Sequence, residues 1–225
     1  KSDLNFKIAK HGTVCKRCAN SKKCGVRMKI SDIISKEKIY AIIREDDKNR
    51  AYEIAKAYIE GGIKVIEFNC PYDVTKKIHD EHNNILISQG GIITTAQAQK
   101  ALCAGAKIIS SPILQSNLIR FASCYSTFLI PTATTPNEAY SAWKSRIALI
   151  KIYPVDKMGG IDYIKELIKP MHFLNLLPCG YVKLEEIKGY LDAGAKAVGV
   201  GRGLYQDKGY NEIVQTVKEV IKSIN

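Results

Sequence analysis

From residue 39 onward, short apolar runs alternate with amphipathic stretches. The runs fall at 39–43, 63–68, 85–89, 107–110, 127–130, 147–153, 173–177 and 196–200. Most are continuously apolar, the pattern of strands buried on both faces of a parallel sheet. Between and after them, apolar positions recur at helical spacing over 48–60, 72–83, 95–104, 115–124, 136–145, 160–169, 183–192 and 209–224. Eight strands, each followed by one helix, predict a closed (β/α)8 TIM barrel. An open doubly wound sheet fits eight single alternations less well. An internal repeat supports the barrel: Ala104-Gly-Ala-Lys107 recurs as Ala193-Gly-Ala-Lys196, with Gly61-Gly-Ile-Lys64 as a relative. In each, glycine supplies the left-handed turn that ends a helix, and an apolar run begins at once. The barrel is expected over 36–225, with 1–35 as an N-terminal extension.

Charge changes the picture at that extension. The chain of 225 residues carries a net +12. Residues 1–30 hold nine basic residues against one acid, Asp3, so +8 of the charge lies there and the rest of the chain carries only +4. A basic extension favours an anionic partner: nucleic acid, an acidic protein face or anionic lipid. Hydrophobic content of 46% suffices for a sizeable core, and no uncharged apolar run approaches the ~20 residues of a membrane span. Seven cysteines, an odd number mostly in apolar segments, argue against a secreted disulfide framework. An intracellular, reducing compartment is expected, either cytoplasm or the matrix of a mitochondrion or plastid.

Two charges stand inside apolar runs. Lys151 lies in Ile147-Ala-Leu-Ile-Lys-Ile-Tyr153, and Glu67 lies near the end of Ile63-Lys-Val-Ile-Glu-Phe68. A lysine in a buried strand must bury an ammonium, find a partner or lose its proton. By strand parity Ile63, Val65 and Glu67 share one face, and Ile147, Leu149, Lys151 and Tyr153 share another. If both faces point into the barrel, Glu67 and Lys151 meet at the C-terminal mouth, where active sites of this fold sit. A desolvated, neutral lysine attacks carbonyls to form a Schiff base, and a nearby carboxylate moves the protons. The same two residues would also serve as a structural ion pair.

A set of motifs extends these two residues: Ile39-Tyr-Ala-Ile-Ile-Arg44, Gly61-Gly-Ile-Lys-Val-Ile-Glu67, Gly105-Ala-Lys-Ile-Ile-Ser-Ser-Pro112, Pro131-Thr-Ala-Thr-Thr-Pro136, Lys151-Ile-Tyr-Pro154, Pro178-Cys-Gly180 and Ala197-Val-Gly-Val-Gly201. In this order they resemble the 2-keto-3-deoxy-6-phosphogluconate/4-hydroxy-2-oxoglutarate aldolases over roughly residues 36–224. The resemblance implies a class I aldolase barrel, usually a homotrimer, that cleaves a 2-keto acid to pyruvate and an aldehyde without a cofactor. It places the Schiff-base lysine on Lys151, the general acid/base on Glu67 and the following aromatic on Tyr153. Pro112, Gly180 and Gly201 fall among its substrate-binding positions.

The departures from that pattern are specific. The carboxylate-binding arginine four residues after the glutamate is replaced by Pro71. Gly-Ala-Gly-Thr becomes Ser88-Gln-Gly-Gly91, and Pro-Thr-Gly-Gly becomes Pro178-Cys-Gly-Tyr181. The serine of the last phosphate loop becomes Arg202, in Gly199-Val-Gly-Arg-Gly203. Losing a charged hydrogen-bond partner costs roughly 1.5–3 kcal/mol, so pyruvate-type binding through the usual contacts is expected to weaken. Arg202, a planar fork for phosphate or carboxylate, and Arg44 at the end of the first strand are the candidate replacements.

His11, Cys15, Cys18 and Cys24 form a candidate zinc set in the extension, with free thiols on an exposed segment as the alternative. His79 and His82 read as a solvated helix face, and His172 as structural. Trp143 and the twelve tyrosines show no pattern of a stacking platform. Two functions follow. One is a Schiff-base aldolase on a 2-keto acid with altered carboxylate and phosphate contacts. The other is an inactive aldolase-like barrel, retained as an accessory subunit and docked to protein partners through the basic extension. Nucleic-acid binding through that extension is a third, weaker reading.

Overall fold

The computed structural model describes residues 22–224. Eight parallel strands form one sheet: β1 (Ile39–Arg44), β2 (Val65–Asn69), β3 (Leu86–Gln89), β4 (Ile108–Ser111), β5 (Phe128–Ala133), β6 (Ile150–Ile152), β7 (Leu176–Pro178) and β8 (Val198–Val200). Their order is β7-β6-β5-β4-β3-β2-β1-β8. A bridge between Cys179 and Gly199 joins the two ends and closes the (β/α)8 barrel. The helices are α1 (Lys22–Glu37), α2 (Lys48–Gly61), α3 (Tyr72–Glu81), α4 (Thr95–Cys103), α5 (Ser116–Tyr125), α6 (Pro136–Lys144), α7 (Gly160–Ile168), α8 (Ile187–Asp192), α9 (Arg202–Tyr205) and α10 (Tyr210–Ile224). Among the described residues, no helix is long and apolar enough to cross a membrane.

Local signals set the helix ends. Thr94 with Gln97, and Thr135 with Glu138, form reciprocal capping boxes at α4 and α6, and Asp47 caps α2. Gly62, Gly105 and Gly194, the glycines of the repeat, all adopt left-handed backbone (φ 108°, 93° and 101°) where a helix turns into a strand.

Two apolar layers follow from strand parity. Ala41, Ile43, Ile66, Phe68, Ile109, Ile150 and Val198 pack outward against the helices. Tyr40, Val65, Ile108, Phe128, Leu149, Leu177 and Ala197 fill the barrel interior, joined there by Ile30 and Ile34 of α1. Helix α1 therefore crosses residue 35 and closes the N-terminal end of the barrel with its second half. Ile63 and Ile147 depart from the expected parity: both precede their strands, in helix-to-strand turns, and pack in the outer layer.

Tyr58 of α2 is fully buried, and its hydroxyl is the one buried side-chain polar atom without a hydrogen-bond partner among the described residues. An orphaned buried hydroxyl costs about 1–3 kcal/mol. Tyr58→Phe is therefore expected to raise stability by about 1 kcal/mol or more, read as a higher urea midpoint with an unchanged slope.

Candidate functional site

The inner wall of the barrel brings Lys151 of β6 and Glu67 of β2 together. Lys151 Nζ donates to Glu67 Oε2 at 2.6 Å and to Ser110 Oγ at 2.8 Å. Both side chains are buried, at 8% and 4% exposure, although the two residues lie 84 positions apart. The barrel is the cause. Strands β2 and β6 are opposite walls, and both residues sit on inward parity, each two positions beyond an interior apolar residue (Val65 and Leu149) toward the C-terminal end of the barrel.

A shell of polar groups supports the pair. The Tyr40 hydroxyl lies 2.9 Å from Glu67 Oε2 and 2.7 Å from Ser88 Oγ. Its single proton goes to the carboxylate, which only accepts, and Ser88 donates to the tyrosine oxygen. Asn69 Nδ2 donates to Glu67 Oε1 at 2.9 Å. The Tyr40 ring lies beneath the ammonium, with Lys151 Nζ 5.5 Å from its centroid. Burial pushes the Glu67 carboxyl up, but the Lys151 charge and hydrogen bonds from Lys151, Asn69 and Ser110 outweigh it, and the net direction is downward. Burial, and then the Glu67 charge, push the Tyr40 hydroxyl well above the usual phenol range.

The remaining candidates are spread around the mouth. Arg44 ends β1 and Arg202 opens α9 after the neighbouring strand β8, and both are exposed. Tyr205 stitches these two loops: its hydroxyl donates to Arg44 O at 2.9 Å and accepts from Arg44 N at 3.3 Å. Pro112 follows β4 and is exposed, and Gly201 lies between β8 and α9. Tyr153 is half exposed, with its ring against Gly180. A Cβ on Gly180 (φ 99°) would lie 2.8 Å from that ring, so only glycine fits there.

Tyr181 follows in a left-handed conformation (φ 58°) that disfavours a bulky side chain, and it is 65% exposed. Cys179 is buried on inward parity, with burial pushing its thiol up to about 12, and its Sγ occupies the space above Gly199. That thiol is a wall of the site and stays protonated.

Sequence reasoning missed Tyr40, Ser88, Ser110 and Asn69. The available signal was polar residues at inward parity on the strands between β1 and β4. His11, Cys15 and Cys18 lie outside the described residues, and Cys24 falls in the first turn of α1. Among the described residues, no group of three or more His, Cys, Asp or Glu side chains is arranged to hold a metal ion.

Fold and site together define a (β/α)8 barrel with a buried lysine–carboxylate centre at its C-terminal mouth. The family model for KDPG and KHG aldolases matches residues 30–220, and the chain belongs to that family. The 2-dehydro-3-deoxy-phosphogluconate aldolase of Haemophilus influenzae is 25% identical over 197 residues, covering 83% of this chain and 92% of the relative. The native KDPGal structure is 26% identical, with a TM-score of 0.75 over 82% of this chain and 93% of that one. KDPG aldolase from Legionella pneumophila, solved with pyruvate captured as a covalent carbinolamine intermediate, shares the fold. Its TM-score is 0.76 at 20% identity, covering 87% of this chain and 97% of that one.

Proposed function

We propose that the chain is a Schiff-base aldolase acting on a 2-keto acid, with a rebuilt hold on the substrate's anionic groups. The observation that carries this is the 2.6 Å contact between Lys151 Nζ and Glu67 Oε2 on the inner wall. At that distance Glu67 takes a proton from the Lys151 ammonium and frees the amine to attack the C2 carbonyl. Loss of water from the carbinolamine leaves a protonated imine. Glu67, having given its proton to the departing carbinolamine hydroxyl, takes the C4 hydroxyl proton, and the C3–C4 bond breaks: its electron pair moves into the imine to give an enamine, and the aldehyde departs. Glu67 returns a proton to C3, and hydrolysis releases pyruvate and the amine. Arg44 and Arg202 hold the anionic end of the substrate, because Pro71 and Gly91 have neither a charge nor a hydroxyl to offer it.

Tyr40 steadies the carboxylate through these steps. Tyr40→Phe keeps the ring and removes one hydrogen bond to an ionised group, worth roughly 1.5–3 kcal/mol. The Glu67 carboxyl rises as a result. The acid limb of kcat/KM is expected to move up by about one pH unit or more, and kcat to fall about tenfold. A pH–rate profile of the variant checks both.

A second reading, an inactive barrel kept as an accessory subunit, is favoured by Tyr181. It places an exposed ring in a left-handed position on the loop after β7. Release of pyruvate from 2-keto-4-hydroxyglutarate and from 2-keto-3-deoxy-6-phosphogluconate separates the two. Turnover of either supports the aldolase. A folded chain that turns over neither, and runs with stoichiometric partners, supports the subunit.

A further inference from the structure

The opposite end of the barrel carries features that the aldolase reading leaves unused. From residue 82 to residue 155 the chain has one acid, Glu138, and that carboxylate is bound into the cap at the start of α6. Over the same stretch, Lys107 directly precedes β4, Lys144 ends α6, and Arg146 lies in the turn leading to β6. Because all strands are parallel, these turns share the N-terminal rim. All three cations are exposed, and among the described residues none is in an ion pair.

Aromatic rings stand on the same sector. Trp143, in the last turn of α6, is 39% exposed and packs on Phe173 of the α7–β7 turn, 36% exposed, at 4.3 Å between centroids. Tyr140 stacks at 5.8 Å from Trp143, and the Lys144 ammonium lies 5.9 Å from the Tyr140 ring centroid. Tyr125, 49% exposed, ends α5 stacked on Phe121. The end of α5 adjoins the Arg146 turn, since Ala122, Ser123, Ser145 and Arg146 line one small cavity of about 30 Å³.

We propose that this sector of the N-terminal rim binds single-stranded nucleic acid. Lys107, Lys144 and Arg146 contact phosphates, and Trp143, Phe173 and Tyr125 offer faces to unpaired bases. Cations outside any ion pair among the described residues, interleaved with partly exposed aromatic rings, are the chemistry of a sequence-tolerant single-strand site. A second copy joined by a two-fold axis fits less well, because pairing this face with itself would set Lys107, Lys144 and Arg146 against like charges; a copy joined head-to-tail is an outcome that the sedimentation measurement below detects. The proposal does not depend on the chemistry at the opposite mouth.

The test is fluorescence anisotropy of the full chain, extension included, with a labelled mixed-sequence oligoribonucleotide, its DNA counterpart and a blunt duplex, across a salt series. Binding is expected for both single strands and weaker for the duplex. Trp143→Ala and Phe173→Ala are each expected to weaken binding roughly tenfold. Lys107→Ala with Arg146→Ala is expected to lower the salt slope by about 1.4, at ~0.7 per phosphate contact. Lys76→Ala, at a lysine paired with Asp80 on α3, is expected to change nothing beyond a small electrostatic effect. All of these side chains are exposed, so the variants' thermal unfolding should match that of the parent. The proposal is overturned if the rim variants bind like the parent, which would assign binding to the basic extension. It is equally overturned by equal affinity for duplex, by no binding, or if Trp143→Ala alters only self-association in sedimentation.

Discussion

Lys151→Met is expected to abolish both turnover and covalent capture of a 2-keto acid, lowering kcat/KM by at least about 10⁴-fold. No other described side chain can take its place. Lys151 is the lysine whose Nζ reaches the inner wall at the mouth, 2.6 Å from the carboxylate that takes its proton. A methionine of similar length fills the same volume, so the loss reports on the amine rather than on packing. Glu67→Gln keeps the shape of the partner and removes only the proton carrier. Its expected cost is smaller, about 10²–10⁴-fold, with the adduct still forming slowly on Lys151. A ranking in which the glutamine variant is the more damaged would place the key chemistry on the carboxylate.

The second large effect is on stability. Removing one member of a buried ion pair leaves the other charge uncompensated and costs about 3–5 kcal/mol. Glu67→Leu alone is therefore expected to lower the urea midpoint markedly. Glu67→Leu combined with Lys151→Met is expected to recover much of that loss, so that the double variant falls short of the summed singles by about 2–3 kcal/mol. Recovery should be partial, because Tyr40, Asn69 and Ser110 also lose a partner. The pH dependence has a definite sign. The Glu67 carboxyl is held below the ordinary 4.5, so its contribution is fully present above that value and is lost as pH falls through the lower folded-state value. The parent should therefore lose stability on acidification through this window. The double variant, which lacks the carboxylate, should lose less.

The fold was legible because most of the eight strands lie in largely apolar runs and several helices end on a readable signal, such as the repeated glycine at 62, 105 and 194. Two elements were not legible. Helix α1 buries only Ile30 and Ile34 among its described side chains, too few to show as a pattern within a basic segment, and α9 is four residues long. The apolar runs begin ahead of the strands at Ile63 and Ile147, because an apolar residue in a turn looks the same as one in a strand.

At the site, Lys151 and Glu67 showed themselves as charges inside apolar runs. Tyr40 did not, because a tyrosine in a buried strand reads as core, and its role depends on a hydroxyl meeting a carboxylate 27 residues away. Trp143 and Phe173 lie thirty positions apart, and the parallel pairing of β6 with β7 brings their turns together. No local pattern carries that contact. Tyr181 is the reverse case: its left-handed backbone is one that the sequence would lead one to give to glycine.

The most direct test of the aldolase account is borohydride reduction of the purified chain in the presence of pyruvate, followed by peptide mapping of the adduct by mass spectrometry. A single reduced pyruvyl adduct on Lys151, absent in Lys151→Met, is the expected result. A folded chain that gives no adduct, or one that carries it on an exposed lysine and keeps it in Lys151→Met, would contradict the account and leave the barrel as a scaffold.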